Sequence, residues 1–196
     1  MPVNRSVPDV AQKRKDWNGL ISGFKASDLV FLDESGCNTD MTRRYAYSLG
    51  GSRAVDSAPL SKPKNTTILL SIQLDGTLRY TTFSGGTTVE RFKRYLETDL
   101  LPHLNGNSVL IMDNMKSHHA KAVKNLLDSS GIRYIYLPPY SPDLNPIEKL
   151  WSKVKAFLRK FKARTLDALP NAIQNAFHAV TVSDCSGWFR FCGYAL

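Results

Sequence analysis

Three acidic residues stand where a run of regular structure stops or starts: Asp33 after the apolar Leu29-Val30-Phe31-Leu32, Asp113 after Ser108–Met112, and Glu148 just past Asn145-Pro146. Carboxylates brought that close together repel one another unless divalent cations sit between them. Hard oxygen donors, few in number, suit Mg²⁺ that keeps several of its waters, with Mn²⁺ as a substitute. Two such ions roughly 3.5–4 Å apart activate an attacking oxygen and stabilise the leaving one in an in-line displacement at phosphorus. Each acid also has a plainer reading. Asp33 and Asp113 at strand ends can sit at the rim of a sheet, in water. Glu148 falls at the third helical position, where it can close a capping box with Asn145. Glu34 points to the opposite face from Asp33 by strand alternation and is the weaker candidate.

The elements that must position these acids can be read from periodicity. Leu29–Leu32 and Ser108–Met112 are unbroken apolar runs, as expected of central strands covered on both faces. Ser117 is expected to cap a helix with Ala120, Val123, Leu126 and Leu127 on one face and Gly131 as its stop, and Arg133–Leu137 follows as a second strand. Strand, helix, strand implies a parallel crossover. Pro138, Pro139, Ser141 and Pro142 hold an extended loop, after which a helix runs from Asn145 to about Lys162 with Ile147, Leu150, Trp151, Val154, Leu158 and Phe161 as its buried stripe. Glu148, Ser152, Lys155 and Arg159 share another face, an acid at the head of a row that continues in cations.

Elsewhere, Thr66–Leu74 and Leu78–Phe83 read as two strands joined at Asp75-Gly76, and Thr87 or Thr88 caps a helix running to about Leu101. Thr165 caps another through Val180, with Leu166 in its stripe and Pro170 kinking its first turns, and a last short helix follows Ser183. Residues 1–28 form an extension whose helix opens near Pro8, turns Val10 and Trp17 to one side and carries a basic Lys13-Arg14-Lys15. From Gly36 to Pro63 the chain reads as a polar loop in which Arg43, Arg44, Tyr45, Tyr47 and Arg53 interleave, a mixture suited to phosphates and sugars or to a solvated loop with tyrosine anchors.

With 196 residues and 42% hydrophobic content, the chain makes one domain, an α/β mixed sheet flanked by helices. Its 26 Lys and Arg against 17 Asp and Glu, a formal charge of +9, make a polyanion the first partner to consider. Cys37, Cys185 and Cys192 show no CxxC spacing, which argues against a zinc site or a disulfide framework and for a reducing compartment. With no apolar run near the roughly 18 residues of a membrane span and no signal peptide, a soluble cytoplasmic protein is expected.

FLDESG at 31–36, RRYA at 43–46, LIMDN at 110–114 with SH at 117–118, and YLPPYSPDLNPIEKLWSKVK at 136–155 resemble the catalytic domain of mariner-type transposases, in particular the bacterial insertion-sequence branch numbered 630. The family's acidic triad maps onto Asp33, Asp113 and Glu148, with the 34 residues between the last two that characterise this group. The resemblance implies a ribonuclease-H-like fold over 29–196 and a reaction dependent on two Mg²⁺ ions. In it, water hydrolyses a phosphodiester at a transposon end, and the freed 3′-hydroxyl attacks target DNA at a TA dinucleotide. Asn114 and His118 fall at positions that imply support of Asp113 or of the scissile phosphate, though a strand-end cap and a structural histidine fit as well. Arg43, Arg44, Lys149, Lys153, Lys155 and Arg159 are the expected contacts to the DNA backbone. A homodimer on double-stranded DNA follows from the resemblance. Complete members also carry an N-terminal helix-turn-helix region; none is read here, so a separate helix-turn-helix polypeptide is a further expected partner. A structure-selective nuclease or resolvase on the same fold and a non-catalytic DNA-binding remnant are the competing readings.

Overall fold

The computed structural model describes residues 8–43, 45–57, 59, 63 and 65–195. Five strands make one mixed sheet: β1 (Leu29–Asn38), β2 (Asn65–Ile72), β3 (Leu78–Ser84), β4 (Val109–Met112) and β5 (Arg133–Tyr136), in the spatial order β3-β2-β1-β4-β5. β1 runs parallel to β4 and antiparallel to β2, and β4 runs parallel to β5. The two apolar runs that end in acids are therefore neighbours at the centre of the sheet, with Leu32 opposite Met112.

Strand alternation sorts the core into two layers. Leu29 and Phe31 face a cluster that includes Trp17 of α1 (Pro8–Ile21), Leu150, Trp151 and Val154 of α4 (Ile147–Phe161), Ile173 and Phe177 of α5 (Ala168–His178) and Phe189 of α6 (Val182–Phe191). Val30 and Leu32 face Phe92 of α2 (Val89–Tyr95) and Val123 and Leu127 of α3 (Lys121–Ser130). The sheet is thus covered on both sides, which is what its uninterrupted apolar runs require. The extension before β1 joins this core: Val10 and Trp17 are buried. Among the described residues no helix is long and apolar enough to cross a membrane.

Several local expectations need correction. β1 does not stop at Asp33; it continues to Asn38 because β2 offers it antiparallel partners from Ile72 back to Asn65, so Gly36 and Cys37 are strand rather than loop. α3 begins at Lys121 with Ala120 as its cap, and Ser117 lies in turns before it, because burial of His118 ties that segment to the sheet instead of letting it wind. The helix capped by Thr88 passes at Leu96 into a wider turn through Leu100 and then a tight one over Leu101–His103. Phe161 and Leu166 are exposed, and Pro170 sits in the first turn of α5, where it needs no kink. The Asp75-Gly76 turn is present, with Gly76 at φ +87° and the Asp75 carboxylate accepting from the Thr77 N–H at 2.8 Å.

Candidate active site

Asp33, Asp113 and Glu148 line one cavity of about 470 Å³, together with Asn114, Met115 and the 137–142 loop. Each reaches it for a different reason. Asp33 follows Leu32, where β4 ceases to flank β1, and alternation points it to the α4 side with Phe31. Asp113 is the first residue past β4. Glu148 lies in the first turn of α4, whose entry is fixed by Asn145: the Asn145 Oδ1 accepts from the Ile147 N–H at 3.3 Å. The Asn145 N–H donates to the Pro142 carbonyl at 3.1 Å, so no capping box takes up Glu148, and its exposed side chain faces the cavity wall.

The electrostatics differ at the two aspartates. Burial pushes the Asp33 carboxyl up to about 7; the Glu34 N–H opposes this, the charges of Glu148 and Asp113 add to it, and the Trp151 indole opposes it again. Those two donors stand at 2.8 Å from Oδ1 and 3.1 Å from Oδ2. Trp151, expected only in the buried stripe of α4, thus serves the site through its indole N–H, and no local pattern could signal this because Asp33 lies 118 residues earlier in the chain. Burial also disfavours charge on Asp113, but His118 and the Met115 N–H outweigh it and hold its carboxyl below the usual range.

His118 is fully buried, with Nδ1 2.9 Å from Asp113 Oδ1 and Nε2 3.3 Å from Glu34 Oε2. Burial opposes protonation of its ring, yet Asp113 and Glu34 together push its pKa up to about 9. Glu34 does point away from Asp33, as alternation requires, and what it meets on that face is this imidazole. Asn114 donates through Nδ2 to the Leu137 carbonyl, tying β4's end to the loop, and its Oδ1 meets His119 Nε2 at 3.3 Å.

The expected DNA contacts divide. Lys155 and Arg159 line a second cavity with Gly36, Cys37 and Asn38 at the far end of β1, and Arg43 joins Arg159 and Tyr45 in a third. Lys149 lies 3.8 Å over the Phe191 ring, and Lys153 pairs with Asp184 at 2.5 Å. Arg44 lies outside the described residues. Arg14, read as part of a basic surface run, reaches the cavity's loop: it donates to Ser141 Oγ at 2.6 Å and grips Asp143 with both terminal nitrogens, at 3.2 and 2.5 Å.

No three His, Cys, Asp or Glu side chains among the described residues are gathered tightly enough to enclose a metal ion. The donor set nonetheless suits hard divalent cations. It offers carboxylate oxygens on one wall of an open cavity, one aspartate destabilised as an anion by burial and further by its two acidic neighbours, and an Asp113 Oδ2 that accepts no hydrogen bond among the described residues.

Comparison with known proteins agrees with this geometry. The chain is 29% identical over 97 residues to the Tc1 transposase of Caenorhabditis elegans, covering 47% of this chain and 36% of that one. It is 31% identical over 75 residues to the Tcb2 transposase of Caenorhabditis briggsae, covering 38% and 28%. The chain thus spans about a third of the length of these curated relatives. Its fold matches Mos1 transposase in a paired-end complex with the left transposon end, with a TM-score of 0.81 over 97% of this chain and 60% of that one at 18% identity. It matches the isolated Mos1 mariner catalytic domain with a TM-score of 0.68 over 97% and 91% at 16% identity. The sheet is therefore ribonuclease-H-like. The DDE superfamily endonuclease model matches residues 28–170, from the residue before β1 into the first turn of α5 and across all three cavity acids, and the chain belongs to that family.

Proposed function

We propose that residues 29–196 are the catalytic domain of a Tc1/mariner-type transposase, with residues 1–28 an extension of it, and that Asp33, Asp113 and Glu148 bind two Mg²⁺ or Mn²⁺ ions. The observation that carries this reading is the shared cavity of the three acids, in which Asp33 is held near neutrality by burial and by its neighbours' charge. Such an arrangement costs stability unless positive charge completes it. When bound, the ions supply an activated attacking oxygen and charge neutralisation at phosphorus. The chain's own groups do the rest. Trp151 and the Glu34 N–H hold the Asp33 carboxylate, while His118 and the Met115 N–H hold that of Asp113. The proline-rich loop walls the cavity on one side, and Lys155, Arg159 and Arg43 offer cations for the DNA backbone beyond it. The substrate is double-stranded DNA, transposon ends and then target at TA, acted on by a homodimer, with terminal-repeat recognition supplied by a helix-turn-helix region. Mos1 complexes with transposon-end DNA and with Mg or Mn, on the same fold, support this reading.

The test incubates the chain, Mg²⁺ or Mn²⁺, supercoiled plasmid and a labelled duplex bearing a free 3′-hydroxyl. Transfer of label into plasmid is the expected product. Asp33→Asn, Asp113→Asn and Glu148→Gln should each reduce it by about a thousandfold or more, since each removes an oxygen donor for ions that carry most of the catalysis. Nicked circles without joining would favour a nuclease, and activity surviving Asp113→Asn would overturn the reading.

A further inference from the structure

Glu34 is a carboxylate in a central strand, its side chain 12% exposed, and neither of its oxygens accepts a hydrogen bond among the described residues. Among the described residues it makes one ion pair, with His118, whose Nε2 lies 3.3 Å from Oε2 in a contact that misses hydrogen-bond alignment. A buried pair of this kind is a poor stabiliser compared with apolar residues of the same volume, so stability alone does not account for an acid here. The histidine is also held by its backbone and by one face of its ring. Its N–H donates to the Met115 carbonyl at 3.0 Å, its carbonyl accepts from the Tyr136 hydroxyl at 3.0 Å, and its ring stacks on Phe92 at 4.2 Å between centroids. Only the ring's rotation and its second proton remain to be set, and Glu34 faces the nitrogen that carries that proton. With a carboxylate facing each nitrogen the ring carries a proton on both, Nε2 toward Glu34 and Nδ1 toward Asp113 Oδ1, where the Met115 N–H also arrives at 2.9 Å; Asp113 Oδ2 accepts no hydrogen bond among the described residues.

We propose that Glu34 is a positioning residue: reaching from the opposite face of the sheet through the buried His118, it locks the rotamer of Asp113 so that one carboxylate oxygen is kept for the cavity. This rests on the reading of Asp113 as a metal-binding acid. Carboxylates that ligate metals are themselves held by hydrogen bonds from an outer shell, and losing such a partner costs about 10–100-fold in affinity or activity.

Glu34→Gln and Glu34→Leu separate positioning from mere filling of space. A glutamine can donate its amide to a bare Nε2 and keep the Nδ1 proton facing Asp113; leucine fills the space and holds nothing. Plasmid nicking, Mn²⁺ binding to the protein alone by electron paramagnetic resonance, and thermal unfolding are measured on each. The leucine variant should lose at least about tenfold in kcat and in Mn²⁺ affinity, with the DNA concentration for half-saturation unchanged and the fold intact, whereas the glutamine variant should stay within about threefold of wild type. A leucine variant matching wild type in rate and Mn²⁺ affinity, or a glutamine variant as impaired as the leucine one, overturns the proposal. Should the leucine variant not fold, the wild-type chain decides. Adding Mg²⁺ should shift the His118 ring ¹⁵N resonances and leave those of the exposed His103 and His178 in place, and an unmoved His118 overturns the proposal. If Asp113→Asn nicks normally, the metal reading itself has failed; if Asp113→Asn is inactive and Glu34→Leu is not impaired, only the role of Glu34 has.

Discussion

A single carboxyl group gives the site its pH behaviour. Asp33 ordinarily titrates near 3.8 and is pushed to about 7 in the fold, so between those values the folded chain holds a proton that the unfolded chain has released. Stability then falls as pH rises through that window. His118 works in a different range: raised from 6.5 to about 9, its contribution is complete below 6.5 and is lost as pH climbs to 9. Asp113, lowered, acts only below the usual aspartate range. The interval from about 4.5 to 6.5 therefore belongs to Asp33 among these three groups. Without metal, the unfolding midpoint should drop across that interval by several degrees, an effect on the order of a few kcal/mol. Asp33→Asn should flatten the slope, and Mg²⁺ should raise the midpoint at pH 8 but not at pH 5, where the proton competes for the same oxygen. Differential scanning calorimetry at fixed ionic strength reads all three. At this scale the sequence disclosed the acids, since each ends an apolar run or opens a helix. It concealed their partners: the Trp151 N–H, the Glu34 contact and the Arg14 grip depend on distances in space between residues that share no local pattern.

The elements were legible where local forces set them and illegible where neighbours did. Apolar runs named β1 and β4 and made them adjacent; periodicity named the stripe of α4. Nothing within Gly36-Cys37-Asn38 announces a strand, because what extends β1 is the antiparallel partner some 27 residues further on. The start of α3 was misread for the same reason, since a good capping serine at 117 yields to the tertiary demand on His118. The tie between α1 and the cavity loop is another such demand. Three prolines stiffen residues 138–142 but leave the loop's distance from the sheet unset, and Tyr140 within it adopts φ +56°, an unfavourable conformation for a residue with a β-carbon. The Arg14 fork on Ser141 and Asp143 fixes that distance. Arg14→Ala should lower stability by only about 1 kcal/mol, the pair being partly exposed. It should speed amide exchange in the 140–145 segment and cut the nicking rate by about tenfold, because small misplacements of a site wall are costly to catalysis. Arg14→Lys should not restore the rate, since a lysine lacks the planar fork. Equal exchange in wild type and variant would show that the prolines suffice.

Across the whole molecule, a formal charge of +9 does not say where a polyanion lies. The fold supplies the direction. β1 passes the acids midway at Asp33 and α4 opens at Glu148, and further along the chain from each, Arg43 after β1 and Lys155 and Arg159 on α4 face two cavities that share Arg159. Lys155 is close enough to oppose the burial that pushes the Cys37 thiol up to about 11. Lys149 and Lys153, equally basic in sequence, are engaged by Phe191 and Asp184, which the helical pattern could not foretell because α6 is distant in the chain. DNA should therefore follow the track of Lys155, Arg159 and Arg43 rather than spread over the basic surface. Binding of a short random duplex, measured by fluorescence anisotropy between about 50 and 200 mM salt, gives a slope of log K against log salt that counts the phosphates neutralised. Lys155→Ala and Arg159→Ala should each reduce that slope by about one and weaken binding alike for all sequences. Lys121→Ala, on α3 across the sheet, should leave it unchanged. Equal reductions at all three positions would mean that the charge acts diffusely, and the DNA path along α4 would have to be abandoned.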